Sequence, residues 1–198
     1  MSRHILTGLL AGWPGAAGLF LRQHLYRSLF AECGKHVVFG RNIVVENPER
    51  IRIGERVFLS DGCRLDGGAA DSNGVHIGGN VFIGTGTSIG GGEGTVEIGE
   101  GSSVGSYCSL GSGHSVRIGK HVLFAAYCTT AGHGKESGED PARETLVGNG
   151  CWLGLRAALC KGVHVGRDTI VGAHAVVETD IPERVVAVGH PARILRSR

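Results

Sequence analysis

Aromatic residues make up only 6% of this 198-residue chain, and it holds a single methionine. That is too little bulky side-chain volume for an ordinary two-layer core of this size. An excess of either charge is also missing. The 20 Lys and Arg stand against 18 Asp and Glu, a formal net charge of +2. With no dense basic run in the body of the chain, neither balance nor patterning supports a nucleic-acid partner. The cysteines, at 33, 63, 108, 128, 151 and 160, form no C-x-x-C pair and no zinc-ligand spacing. No metal is therefore expected, and a reducing cytoplasmic compartment is. A clean membrane span is lacking too. Residues 5–21 carry no charge, but four glycines and Pro14 interrupt them, and no clear A-x-A cleavage site follows.

Glycine is what the chain has in excess, 35 residues, without the every-third spacing of collagen. A six-residue repeat accounts for it. Apolar residues recur at Phe39, Val45, Ile53, Leu59, Leu65, Ile77, Ile83 and Ile89, and onward to Val165, Val171 and Val177. Of twenty repeats, nineteen are apolar at this position, and the exception is Thr130. Two residues earlier stands a second selective row, small, β-branched or cysteine throughout, which includes Cys63, Cys108, Cys128 and Cys151. Positions two apart on a strand share a face, so both rows point into one narrow interior. Those four cysteines read as small packing residues. Glycine follows the apolar residue in thirteen of twenty repeats. A tight corner there needs either unusual dihedrals or no side chain.

Three repeats close a coil of 18 residues, and the steps between repeats test that model. Those longer than six are Val45 to Ile53, Leu65 to Ile77, Ile89 to Ile98, Leu110 to Ile118 and Thr130 to Val147. Counted in threes from Phe39, every one falls between the second and third face, so all insertions leave one corner. The expected fold is all-β, a parallel β-helix of about 6–7 coils with a short helical N-terminal extension. Residues 1–36 form that extension, 37–182 the β-helix and 183–198 a tail. Asp180-Ile181-Pro182 is expected to break the repeat.

The extension has two readings. Residues 19–30 look helical with Leu21, Leu25 and Leu29 on one side and Arg22 intruding on it. Such a helix could lie on a membrane surface, giving peripheral contact through residues 5–30 at the inner membrane. It could equally be a lid over the open first coil.

Most of the ten histidines have bland places. His76 and His164 should point outward, and His36, His121 and His174 begin flats. His114 sits in a short insertion, and all are expected at the surface. His133 differs. It opens the longest insertion, 131–144, directly after Thr130, the one repeat without an apolar residue. Long loops on rigid scaffolds tend to carry sites, and imidazole is a suitable general base at neutral pH.

At this point the chain resembles the hexapeptide-repeat acyltransferases, in the branch holding galactoside and maltose acetyltransferases and polysaccharide O-acetyltransferases. The resemblance covers about 37–196. It is carried by Gly150-Cys151-Trp152-Leu153-Gly154, Gly162-Val163-His164-Val165-Gly166, Val171-Gly172-Ala173, Asp180-Ile181-Pro182 and Gly189-His190-Pro191-Ala192-Arg193. It implies left-handed coiling, against the usual crossover rule. It also implies a homotrimer with sites between subunits, acetyl-CoA as co-substrate and a small-molecule or saccharide acceptor. His133 matches the family's catalytic histidine, which works by direct transfer without a covalent enzyme intermediate. Glu136 or Asp140 would be its candidate orienting acids. CoA-binding positions carry over to Gly154, Leu155, Ala173, Glu178, Thr179, Arg193 and Arg196, with the tail completing that site. The acceptor side falls near Gly105, Ser106 and Tyr107. Departures are present. Glu178-Thr179-Asp180 stands where many relatives read Thr-Lys-Asp, removing one cation, and Lys161 replaces a proline. An acceptor-side asparagine of the sugar acetyltransferases is absent, which bears on sugar specificity more than on acyl transfer.

Two other classes share the repeat. A zinc hydrase like the γ-carbonic anhydrases needs two histidines five residues apart, and no pair here has that separation. A non-enzymatic scaffold would not need His133 or a CoA-like tail.

Overall fold

The computed structural model describes residues 12, 15–111, 113–132 and 143–198. Short strands come round every third element into three sheets of seven, nine and seven strands, all pairings parallel but one. The predicted apolar row is the stacking register. Ile53, Ile77, Ile98, Ile118, Val147 and Val165 stack in the first sheet. Phe39, Leu59, Ile83, Val104, Phe124, Leu153 and Val171 stack in the second. Val45, Leu65, Ile89 and Leu110 begin the third. These residues are buried and make one core. The five insertions leave the corner between the third and first sheets, as the step lengths require.

Structure settles which demand the glycines meet. The left-handed residue of each tight corner is not the glycine after the apolar position. It stands two residues further on, and is often not glycine: Arg56, Asn80, His121 and Asp168 at one corner, Asn42, Tyr107, Tyr127 and Arg156 at the next. The repeat glycine is needed for space. A Cβ on Gly84 would sit 2.5 Å from the Gly105 carbonyl carbon, and one on Gly154 would sit 2.5 Å from the Ala173 nitrogen. Backbone cannot yield there as a side chain could.

The second inner row has a role beyond packing. The Cys63, Cys108, Cys128 and Cys151 thiols donate to the carbonyls of Gly84, Ala125, Gly154 and Gly166 on the next coil, at 3.1–3.2 Å. Thr87, Ser102 and Thr169 do the same with hydroxyls. A corner carbonyl that points inward needs a donor, and a small polar γ-atom supplies one without enlarging the core. All six cysteines are free thiols.

Both ends differ from expectation. Helix α1 spans Gly15–Arg27, and its buried face is Gly18, Arg22 and Tyr26 rather than a leucine stripe. Arg22 is only 3% exposed and donates from Nε to the Phe39 carbonyl at 3.3 Å. Each coil's carbonyls take N–H groups from the coil before it, and the first coil has no predecessor. A cation on the helix fills that vacancy. Tyr26 of α1 and Phe30 just beyond it pack on Phe39 of the first coil, with ring centres 5.6 Å apart. Pairing already starts at Glu32 and Cys33. At the other end the repeat is not broken. Ile181 bridges Val165, its carbonyl takes the Gly166 N–H, and 185–188 pairs with 170–171. Strand Arg193–Ser197 then turns back antiparallel as an outer flap.

Candidate active site

His133, Glu136 and Asp140 lie outside the described residues; the two roots of their insertion lie within them. The entering root is Thr130, fully buried. The third sheet shifts register between Thr129 and Gly132, and the Thr130 hydroxyl takes the Gly111 N–H at 3.0 Å. The one non-apolar repeat thus has a structural reason, since an apolar residue could not serve that N–H where the ladder slips. The returning root is Thr145, also fully buried. Its hydroxyl oxygen accepts the Gly162 N–H at 2.9 Å and lies 3.1 Å from His114 Nε2.

His114 corrects the expectation of a surface histidine. It is 7% exposed, turned inward at the corner from which the long insertion leaves. Nearby, Arg143 donates to Asp180 at 2.6 Å, while the other Asp180 oxygen accepts the His164 N–H at 2.9 Å. Burial alone would raise the Asp180 pKa; the Arg143 hydrogen bond, the His164 N–H and the Arg143 charge outweigh it and hold it low. The end of the insertion is thereby tied to the last coil. A polar residue in the core row at the end of a long insertion, as Thr145 is, was the available signal for this cluster. Nothing in the sequence pointed to His114 as its partner.

The expected donor and acceptor residues occupy several places. Ser106, Ala126, Leu155 and Ala173 succeed one another coil by coil along the corner between the second and third sheets, each before a left-handed residue. Leu155 is exposed there, and Gly154 lies under Ala173 because it lacks a Cβ. Tyr107 stacks on Tyr127 at 5.2 Å, and the Arg156 guanidinium lies 5.5 Å from the Tyr127 ring centre. Glu178 and Thr179 sit past the third sheet, with Glu178 3.5 Å from His190. Arg193 and Arg196 are exposed on the C-terminal strand. The chain therefore brings Ser106, Tyr107, Gly154, Leu155 and Ala173 to one edge, and roots the His133 insertion at the following corner. Among the described residues, no three His, Cys, Asp or Glu side chains are grouped to hold a metal.

No family model matches the chain. Among curated proteins it is 34% identical over 90 residues to the galactoside O-acetyltransferase of Escherichia coli, covering 42% of this chain and 44% of that one. It is 29% identical over 121 residues to a putative lipopolysaccharide biosynthesis O-acetyl transferase, WbbJ, of the same bacterium, covering 53% and 62%. The matches thus span about half the length of these relatives. Among solved structures, the N-acyltransferase AntD from Bacillus cereus superposes with a TM-score of 0.59 at 21% identity, over 89% of this chain and 88% of that one. That likeness establishes the shared solenoid. The fold is the one hexapeptide repeats build, and the chain is similar to sugar and polysaccharide O-acetyltransferases, the branch its C-terminal motifs resemble.

Proposed function

We propose that this chain is an acyl-CoA-dependent acyltransferase that places an acetyl group on a saccharide hydroxyl or amine, in the building of a bacterial surface polysaccharide. His133 is the general base. It takes the proton from the acceptor, whose oxygen or nitrogen attacks the thioester carbonyl. A backbone N–H holds the oxyanion, the C–S bond breaks, and His133 returns the proton to the leaving thiolate. The observation that carries this reading is the edge Ser106, Leu155 and Ala173, in coil-by-coil register beside an insertion pinned at both roots. AntD, of like fold, is described in complex with an amino-sugar nucleotide and coenzyme A, which supports a saccharide acceptor.

The working form in this proposal is a homotrimer. On the outer face of the second sheet Val38, Phe58 and Phe82 follow one another in register, then, past Ser103, Leu123, Trp152 and Ile170, and four of these apolar residues are exposed. The first sheet shows Glu32, Arg52, His76, Glu97 and Arg117 instead. A long apolar column beside a charged one suits contact between copies. A neighbouring copy would bring its donor edge to the His133 corner. The protein is placed in the cytoplasm, with residues 5–30 in peripheral contact with the inner membrane. Among the described residues no helix is long and apolar enough to cross a membrane.

The test is acetyl transfer from acetyl-CoA over a panel of saccharides, amino acids and amines. His133→Ala should lower turnover by about 10²–10⁴. Full activity in that variant would overturn the role of His133. Absence of turnover, together with no thermal stabilisation by acetyl-CoA, would favour a scaffold instead.

A further inference from the structure

The N-terminal end of the solenoid differs electrostatically from the rest. Residues 1–41 hold five Arg and Lys against one acid, Glu32, a net +4 in a chain whose total is +2, although Arg41 pairs with Asp61 of the next coil at 2.8 Å. Between α1 and the first coil lies a cavity of about 650 Å³ whose lining includes His24, Arg27 and His36 and holds no carboxylate. Along the coils, by contrast, Arg52, Arg64, Arg117 and Arg167 each pair with a carboxylate. Arg27 and Lys35 have no such partner among the described residues.

Apolar groups stand beside these cations. On the outer side of α1, Phe20 is 61% exposed and Leu19 is exposed too, although the helix buries its opposite face. The Phe20 ring lies 4.6 Å from the His24 ring, so apolar surface and cationic cavity share a rim. The sequence leading into this rim, residues 5–21, has no charge.

We infer that this end is an anionic-lipid docking surface. Phe20 and Leu19 enter the headgroup–acyl boundary, and a lipid phosphate sits in the cavity between His24, Arg27 and His36. An apolar insertion and a basic patch each bind a bilayer weakly, and together they hold a protein there reversibly. The inference rests on the membrane contact in the proposed function and does not depend on acyl transfer. Its consequence is an enzyme whose coils stand away from the bilayer, facing acceptors carried on lipid.

The experiment is flotation of the full chain with vesicles of phosphatidylcholine alone, or with about 30% phosphatidylglycerol, at low and high salt. Binding is expected only with the anionic vesicles and is lost at high salt. Arg27→Glu should weaken it by more than about fivefold, as should Phe20→Ser, with melting temperatures unchanged. Equal binding to neutral vesicles, or full binding by Arg27→Glu, overturns the phosphate cavity. If neither vesicle binds and Phe20→Ser instead shrinks the assembly in light scattering, the rim contacts another copy and the inference falls. Transfer to a soluble acceptor, measured in parallel, should be the same in both variants. Its absence in the unaltered protein would count against the acyltransferase reading alone.

Discussion

His114 Nε2 lies 3.1 Å from the Thr145 hydroxyl oxygen, with both side chains buried at the corner where the longest insertion returns to the solenoid. Thr145 also takes the Gly162 N–H, so one hydroxyl joins groups from three successive coils. Thr145→Val keeps the shape and leaves that N–H unsatisfied. It should lose about 1–3 kcal/mol in urea unfolding, with Thr145→Ser close to the unaltered protein.

Gly154 and Gly79 differ in the room they leave for a side chain. At Gly154 a Cβ would meet the Ala173 nitrogen at 2.5 Å, whereas at Gly79 the nearest atom is 3.4 Å away. Gly154→Ala should therefore push neighbouring coils apart and lower stability by about 2 kcal/mol or more. Gly79→Ala should be near neutral. Thermal melts of the pair give the comparison.

Burial pushes the Cys63 thiol up to about 11, above its ordinary value of 9.0. The folded state then holds its proton where the unfolded chain has lost it. The associated stability is fully present below about pH 9 and drains away as pH rises toward 11, worth roughly 2–3 kcal/mol over the window. Urea unfolding at pH 8 and pH 10.5 should show that fall, and Cys63→Thr should reduce it. In the native protein at pH 8, a thiol reagent should reach Cys33 at most, with all six titrating on unfolding.

The Arg143–Asp180 pair is half-exposed, so its removal should change stability by less than about 1 kcal/mol. Its effect should fall on the insertion it tethers. Arg143→Ala should lower acetyl transfer several-fold with little change in melting temperature. Because the Asp180 pKa is held low, the tether is complete above about pH 4 and is lost on acidification through the folded value. Asp180→Asn should remove that dependence.

Trp152 stands in the middle of the exposed apolar column, between Leu123 and Ile170. Trp152→Asp should convert the proposed trimer to monomer in light scattering while circular dichroism stays the same. An unchanged mass would exclude this face as the contact.

Much of the architecture was legible before any coordinates, because a solenoid is nearly one-dimensional. Each repeat meets only its neighbours, so a period in the chain becomes a row in space. Phe39 to Val177 stacked as phased, and the insertions left one corner. The helix boundaries and the place of Arg22 were not legible, because the Phe39 carbonyl that Arg22 serves is an orphan only once the first coil exists. For the same reason Ile181 reads as a break in the sequence: its ladder partner, Val165, is known only from the stack. The glycine question had two answers in the sequence, dihedral or space, and Gly154 against Ala173 decides for space.

The sequence by itself determined the coil, its three faces, the inner rows and the special standing of residues 131–144. All of these follow from periodicity and from side-chain alternation on a strand. Only the tertiary structure decided what ties that insertion down, since Thr130, Thr145, His114 and Asp180 meet groups lying 16 to 37 residues away in the chain. Such contacts depend on which carbonyl or N–H a neighbouring coil leaves unpaired, and that is a property of stacking rather than of any one repeat.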